Sequence, residues 1–173
     1  MVETSIEFWR RMASQFGGPV LAPCCGTGAL AITIAAMGLS VTGVDLDAAA
    51  LAKAEAAAAG ADVDVRWIAA DVRALALPRR FGLVILTGDA FQAFLARGEQ
   101  DALLATVRRH LAPEGVFGFD MEQRAGQLLA DDVEHLLEMA GFEIVAQYGD
   151  WDFARFRRGS ARLITLCRLA AGA

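Results

Sequence analysis

The sequence predicts an α/β fold: a Rossmann-like, doubly wound sheet of seven strands, mostly parallel with an antiparallel C-terminal strand, and helices on both faces. Three observations carry this. Apolar runs of strand length alternate with helix-length segments between residues 20 and 140. A glycine turn, C-G-T-G at Cys25 to Gly28, joins the first run to a helix, and the second run ends on an acid, Asp45. The last two runs, 142–148 and 162–168, are joined by a polar and aromatic loop without a helix, which suits an antiparallel pair.

Each element follows from its residues. Thr4 and Glu7 have the spacing of a capping box, and Ile6, Trp9, Ala13 and Phe16 share one helical face, predicting an amphipathic helix over 5–16 that Gly17, Gly18 and Pro19 end. Val20 and Leu21 open a buried strand, Ala29 to Met37 continues as an apolar helix, and Val41 to Val44 is strand-like again. Together they form one βαβ unit of about 30 residues. Asp47 caps an alanine-rich helix over 48–59, which Gly60 ends. Val63, Val65 and Trp67 alternate with Asp64 and Arg66 as a strand. Phe81 to Thr87 is nearly continuously apolar, as expected of a central parallel strand covered on both faces. Leu103, Leu104, Val107 and Leu111 form a helical stripe, Pro113 and Gly115 break it, and Val116 to Phe119 forms a fifth strand ending at Asp120. A helix over 126–140 stops at Gly141. The chain reads as one domain over 1–173, with an opening helix in 1–18 and a Rossmann-like core over 19–173.

Composition narrows the function. The hydrophobic fraction is 55%, yet no run nears the ~20 apolar residues that span a bilayer, and M-V-E-T-S lacks the basic start of a secretory signal. A cytoplasmic location without membrane association is expected. A net charge of −5 opposes nucleic-acid binding, which needs a concentrated basic face. The one dense basic run, Arg155, Arg157 and Arg158, reads as a solvated loop. Cys24 and Cys25 are adjacent and Cys167 is solitary, so neither a disulfide framework nor a metal spacing is present, and no metal is expected. His110 and His135 read as a helix-end charge and a surface residue. Lys53 is the sole lysine against fifteen arginines, a bias of GC-rich bacterial genes.

Ligands of open α/β sheets bind at the carboxyl ends of the strands, where Gly26, Gly28 and Asp45 all fall. Glycines there let a ligand approach the backbone, and Asp45, 17 residues after Gly28, can accept two hydrogen bonds from a ribose diol. An adenosine-containing cofactor is expected. A nicotinamide dinucleotide shares these two features, so they leave it open.

Further motifs make the chain resemble the class I S-adenosylmethionine-dependent methyltransferases, especially the small-molecule type, over almost its whole length. C-G-T-G is similar to that family's first motif, G-V-D at 43–45 to its second, A-A-D-V at 69–72 to its third, and F-G-L-V-I-L-T-G-D-A-F-Q to its fourth. H-L-A-P-E-G at 110–115 resembles the turn before its fifth strand, and Y-G-D-W-D with S-A-R-L-I-T resembles the tail of many members. The resemblance implies S-adenosyl-L-methionine as cofactor and S-adenosyl-L-homocysteine as product. It places the cofactor against Cys24, Cys25, Gly26 and Gly28. Asp45 would take the ribose, Leu46 would line the adenine, and Asp71 and the Val72 N–H would meet the adenine edge. Thr87 and Gly88 would face the methionine side.

The implied reaction is methyl transfer to an O, N or C nucleophile of a small molecule, resting largely on proximity and in-line alignment. Asp89 is the best-sited candidate base, with Glu122 and Asp150 behind it. Trp9, Phe91, Glu122 and Trp151 are expected to wall the acceptor pocket, with Phe94, Phe153 and Phe156 as further aromatic candidates. The chain departs from the family at Ala22, where an acid is usual, and at Cys24, where a small residue is usual. Only Met121 to Ala125 separate the fifth strand from the next helix, where relatives insert a substrate cap. The pocket is therefore expected to be open, covered by the opening helix, or completed by a second subunit in a homodimer. A protein that binds the same cofactor without transferring methyl groups is the alternative.

Overall fold

A computed structural model describes residues 3–124 and 128–172. Seven strands form one sheet: β1 (Val20–Pro23), β2 (Val41–Asp45), β3 (Arg66–Ala69), β4 (Phe81–Leu86), β5 (Leu111–Glu122), β6 (Phe142–Tyr148) and β7 (Arg162–Leu169). Their order is β3-β2-β1-β4-β5-β7-β6, with β7 antiparallel to both neighbours and the rest parallel. The helices are α1 (Glu3–Phe16), α2 (Ala29–Ala35), α3 (Ala48–Gly60), α4 (Arg97–His110) and α5 (Ala130–Met139). This is the predicted doubly wound architecture. No described helix is long and apolar enough to cross a membrane.

Two apolar layers hold the sheet. On one face Phe8, Trp9, Met12 and Ala13 of α1 and Leu30 and Ile34 of α2 pack on Leu83, Ile85 and Ile164. On the other, Leu103, Leu104 and Val107 of α4 and Val133, Leu136 and Leu137 of α5 pack on Val84, Phe117 and Phe119. β4 is buried except at half-buried Gly82, because it contributes to both layers. At ~25 cal/mol per Å² of apolar surface, this two-sided burial is the main stabilising contribution.

Several boundaries differ from the sequence prediction, each because strand pairing overrides local pattern. β3 begins at Arg66 rather than Val63, since its partners are Thr42 to Asp45 of β2. β5 runs from Leu111 to Glu122, longer than Val116 to Phe119. Phe81 pairs with Leu111 and Leu83 with Val116, so Pro113 and Gly115 sit in a bulge within the strand instead of preceding it. A Cβ at Gly115 would lie 2.9 Å from the Phe81 carbonyl oxygen. At its far end β5 is extended by pairing with β7, as far as Glu122 opposite Arg162. Asp47 does cap α3, accepting from the N–H groups of Ala49 and Ala50 at 2.8 and 3.2 Å. α5 begins at Ala130, and the predicted start at 126, like the Thr4 capping side chain, lies outside what the structure describes.

Candidate active site

The glycine turn is fastened to the end of β2. Cys24, Gly26 and Gly28 all have positive φ, at 52°, 53° and 77°, and the Gly26 N–H donates to Asp45 Oδ2 at 2.7 Å. The other Asp45 oxygen accepts the Asp47 N–H at 2.9 Å. The acid expected to hold a ribose therefore also fixes the turn on which the ligand would rest. A carboxylate offers about four lone-pair positions, so acceptor capacity remains for a diol.

The two glycines are required for different reasons. A Cβ on Gly28 would lie 2.4 Å from the Trp67 ring and 2.9 Å from the Ala54 Cβ, so Gly28 lets α3 and Trp67 close behind the turn. A Cβ on Gly26 would meet nothing within 4 Å; it would project into open space. Cys25 turns its sulfur toward Gly43, 3.1 Å from where a Cβ there would stand, whereas Cys24 lines a cavity. Burial, with Asp45 nearby, pushes the Cys24 thiol up to about 11 and the Cys25 thiol up to about 12, so both are neutral.

That cavity, of about 150 Å³, brings together Cys24, Asp45, Leu46, Asp71 and Val72 with Ala70, Arg73 and Phe94. It is smaller than the ~300–1,000 Å³ of complete small-ligand pockets, matching a flat heterocycle rather than a whole cofactor. Arg73 is its unforeseen member. Its Nε and Nη2 donate to the Asp71 carboxylate at 2.7–3.1 Å and its Nη1 to Glu99 Oε1 at 2.5 Å. The Arg73 pair holds the Asp71 carboxyl below its usual range. Asp71 thus already shares its oxygens with Arg73, and any adenine amino group would compete for them.

Across the ends of β4, β5 and β7 lies a second cluster. Gly88 and Asp89 have consecutive left-handed φ values of 74° and 59°. The Gly88 N–H donates to Asp120 Oδ2 at 3.3 Å, and the Glu122 N–H to Asp89 Oδ1 at 2.7 Å. Asp120 is 1% exposed and accepts the Trp9 indole N–H at 3.2 Å. Burial raises its pKa, opposed by Thr87, the Arg162 guanidinium and the Trp9 N–H. Thr87 Oγ1 is buried with no hydrogen-bond partner among the described residues, and its hydroxyl favours the charged form of Asp120. Arg162 stands 3.3 to 3.8 Å from Glu122, Asp120 and Asp89 and 4.8 Å from the Trp151 ring centroid. Trp151 in turn borders an open hollow of about 450 Å³ between α1 and the β6–β7 loop, with Phe8, Phe153 and Asp150.

Three expectations need correction. Trp9 is fully buried in the core, so it reaches the site only through its N–H. Phe91 is likewise fully buried, stacked on Phe119 at 4.7 Å, and forms no open wall. His110 is a buried strap rather than a helix-end charge: Nε2 accepts the Leu77 N–H and Nδ1 donates to the Thr106 carbonyl, both at 2.8 Å. His135 is exposed, as expected. Asp150 lies on the hollow and accepts the Trp151 N–H, apart from the strand-end carboxylates that hold Asp89.

The model of the methyltransferase-domain family matches residues 20–115, more than half of the chain. The chain belongs to this family. Among curated proteins, none matches. Solved structures similar to this methyltransferase include an S-adenosylmethionine-dependent methyltransferase from Clostridium acetobutylicum, at 16% identity and TM-score 0.87, with 97% of this chain and 92% of that one covered. The CcbJ methyltransferase from Streptomyces caelestis is similar at 19% identity and TM-score 0.87, covering 96% and 90%. The glycopeptide N-methyltransferase MtfA complexed with S-adenosyl-L-methionine is similar at 21% identity and TM-score 0.79, covering 97% and 95%. The fold of this methyltransferase is thus the class I fold that its motifs implied.

Proposed function

We propose that this methyltransferase transfers a methyl group from S-adenosyl-L-methionine to an O, N or C nucleophile of a small molecule. The observation that carries the reading is the junction of Asp45 with the Gly26 turn beside the 150 Å³ cavity, with Gly88 bound to Asp120 in the acidic cluster at the ends of the fourth and fifth strands. The residues fit such a cofactor: Asp45 for the ribose, Leu46, Val72 and Phe94 around the base, and the open approach at Gly26 for the remainder. When bound, that group supplies a methyl carried on a sulfonium. Asp89 meets Glu122 and Arg162 through Oδ1, its Oδ2 has no hydrogen-bond partner among the described residues, and it is the side chain suited to orient an acceptor proton.

A small acceptor is supported by the hollow at Trp151, whose 450 Å³ falls within the ~300–1,000 Å³ of small-ligand sites. The net charge of −5 argues in the same direction, against a polyanion. The test is calorimetry with S-adenosylmethionine and S-adenosylhomocysteine, followed by label transfer from the methyl-labelled donor into a deproteinised bacterial extract. Micromolar or tighter binding with labelled small-molecule product is expected. Absence of binding by both compounds overturns the reading.

A further inference from the structure

We infer that Arg162 is a positioning residue of this site, holding Asp89, Asp120 and Glu122 and the Trp151 ring in one arrangement at the acceptor side. The inference rests on the methyl-transfer reading above. Arg162 opens β7 directly opposite Glu122 of β5, so pairing of the two strands delivers its side chain to the strand ends. The side chain is 19% exposed.

Its contacts have an unusual character. Nη2 stands 3.3 Å from Glu122 Oε1, while Nη1 stands 3.6 Å from Asp120 Oδ2 and 3.8 Å from Asp89 Oδ1. The last two exceed hydrogen-bond length, so the guanidinium acts on those carboxylates through its charge and not through fixed donors. Three carboxylates share this end of the sheet, with Arg124 paired to Glu122 from the outside and the Trp9 N–H on Asp120 from the core. Without a central cation, like charges so close favour protonation of one of them.

A second task is mechanical. Arg162 lies over the Trp151 ring, which packs on Phe8 of α1 at 5.6 Å and borders the 450 Å³ hollow. One side chain therefore ties the wall of that hollow to the loop carrying Gly88 and Asp89.

The test compares Arg162→Gln and Arg162→Lys with wild type. Cofactor affinity is read by calorimetry, and label transfer from methyl-labelled S-adenosylmethionine into deproteinised extract is followed from about pH 4 to pH 10. The expected result for Arg162→Gln is a rate loss of about tenfold or more at neutral pH, cofactor affinity within about threefold, and an acid limb moved up by about one pH unit. Arg162→Lys should recover much of the rate. A uniform loss across pH, a matching loss of cofactor affinity, failure of lysine to rescue, or an unchanged Arg162→Gln rate overturns the proposal. If Arg162→Gln does not fold, Arg162→Lys and Trp151→Leu decide instead, with lowered rate at unchanged cofactor affinity expected for Trp151→Leu and full activity of that variant contrary to it. Wild type that binds neither cofactor form overturns the methyl-transfer reading itself, whereas an active wild type with an indifferent Arg162→Gln overturns only the role of Arg162.

Discussion

The Trp9 indole N–H donates to Asp120 Oδ1 at 3.2 Å, joining the first helix to the end of the fifth strand across 111 positions of sequence. The contact exists because residue 118 is glycine: a Cβ there would stand 2.6 Å from the Trp9 ring. Trp9→Phe removes a donor from a buried carboxylate and should cost about 1–3 kcal/mol. Gly118→Ala should cost a similar ~1–3 kcal/mol by overpacking. Because the clashing ring carbons are absent from phenylalanine, the double variant should lose less than the sum in urea denaturation. Strict additivity would show that the two residues do not share this contact.

The two glycines of the turn should separate folding from binding. Gly28→Ala combines left-handed φ with contact against Trp67 and Ala54, so it should cost more than the ~1–2 kcal/mol of the backbone conformation alone. Gly26→Ala meets open space, so its stability loss should stay near that backbone cost while its methyl group intrudes on the cofactor approach. Thermal unfolding paired with calorimetry should therefore show Gly28→Ala failing mainly in stability and Gly26→Ala mainly in affinity.

Asp45→Ala should weaken S-adenosylmethionine binding more than tenfold, as a ribose contact of about 1.5–3 kcal/mol requires. The Gly26 N–H loses its acceptor in the same variant, so part of the effect is a loosened turn. Affinity within threefold of wild type would count against this placement of the ribose.

Burial raises the pKa of Asp120 in the folded protein above its ordinary 3.8. Between those two values the folded state holds a proton that the unfolded chain has released, so stability falls as pH rises through that window. The melting temperature of Asp120→Asn minus that of wild type should accordingly become more positive from about pH 4 upward. A difference independent of pH would show that Arg162, Thr87 and the Trp9 N–H fully offset the burial.

Neutral thiols at Cys24 and Cys25 predict slow alkylation by iodoacetamide at pH 8, since the thiolate is the nucleophile. Asp45→Asn removes a charge that raises both values and should accelerate labelling of Cys24, which mass spectrometry can follow. Bound S-adenosylmethionine should protect Cys24, which lines the cavity. Rapid labelling of wild type at pH 8 would contradict the assignment.

What the sequence by itself determined was local or periodic. Apolar runs set the strand count, Asp47 set a cap, and the glycine turn and Asp45 set the two sides of one strand-end junction, because each is written within one element or one βαβ unit. Asp120 carried a readable signal too, an acid ending an apolar run as Asp45 does. Tertiary structure decided the rest, because it depends on which strands become neighbours. Placing β7 beside β5 brought Arg162 to Asp89, Asp120 and Glu122, and folding of α1 onto the sheet buried Trp9 and turned its N–H to Asp120. Arg73 pairs locally with Asp71, two residues before it, and only the docking of α4 brings Glu99 to the same guanidinium. Hydrophobic periodicity specifies which face of an element is buried, whereas the partner of a polar group is fixed only when distant strands meet.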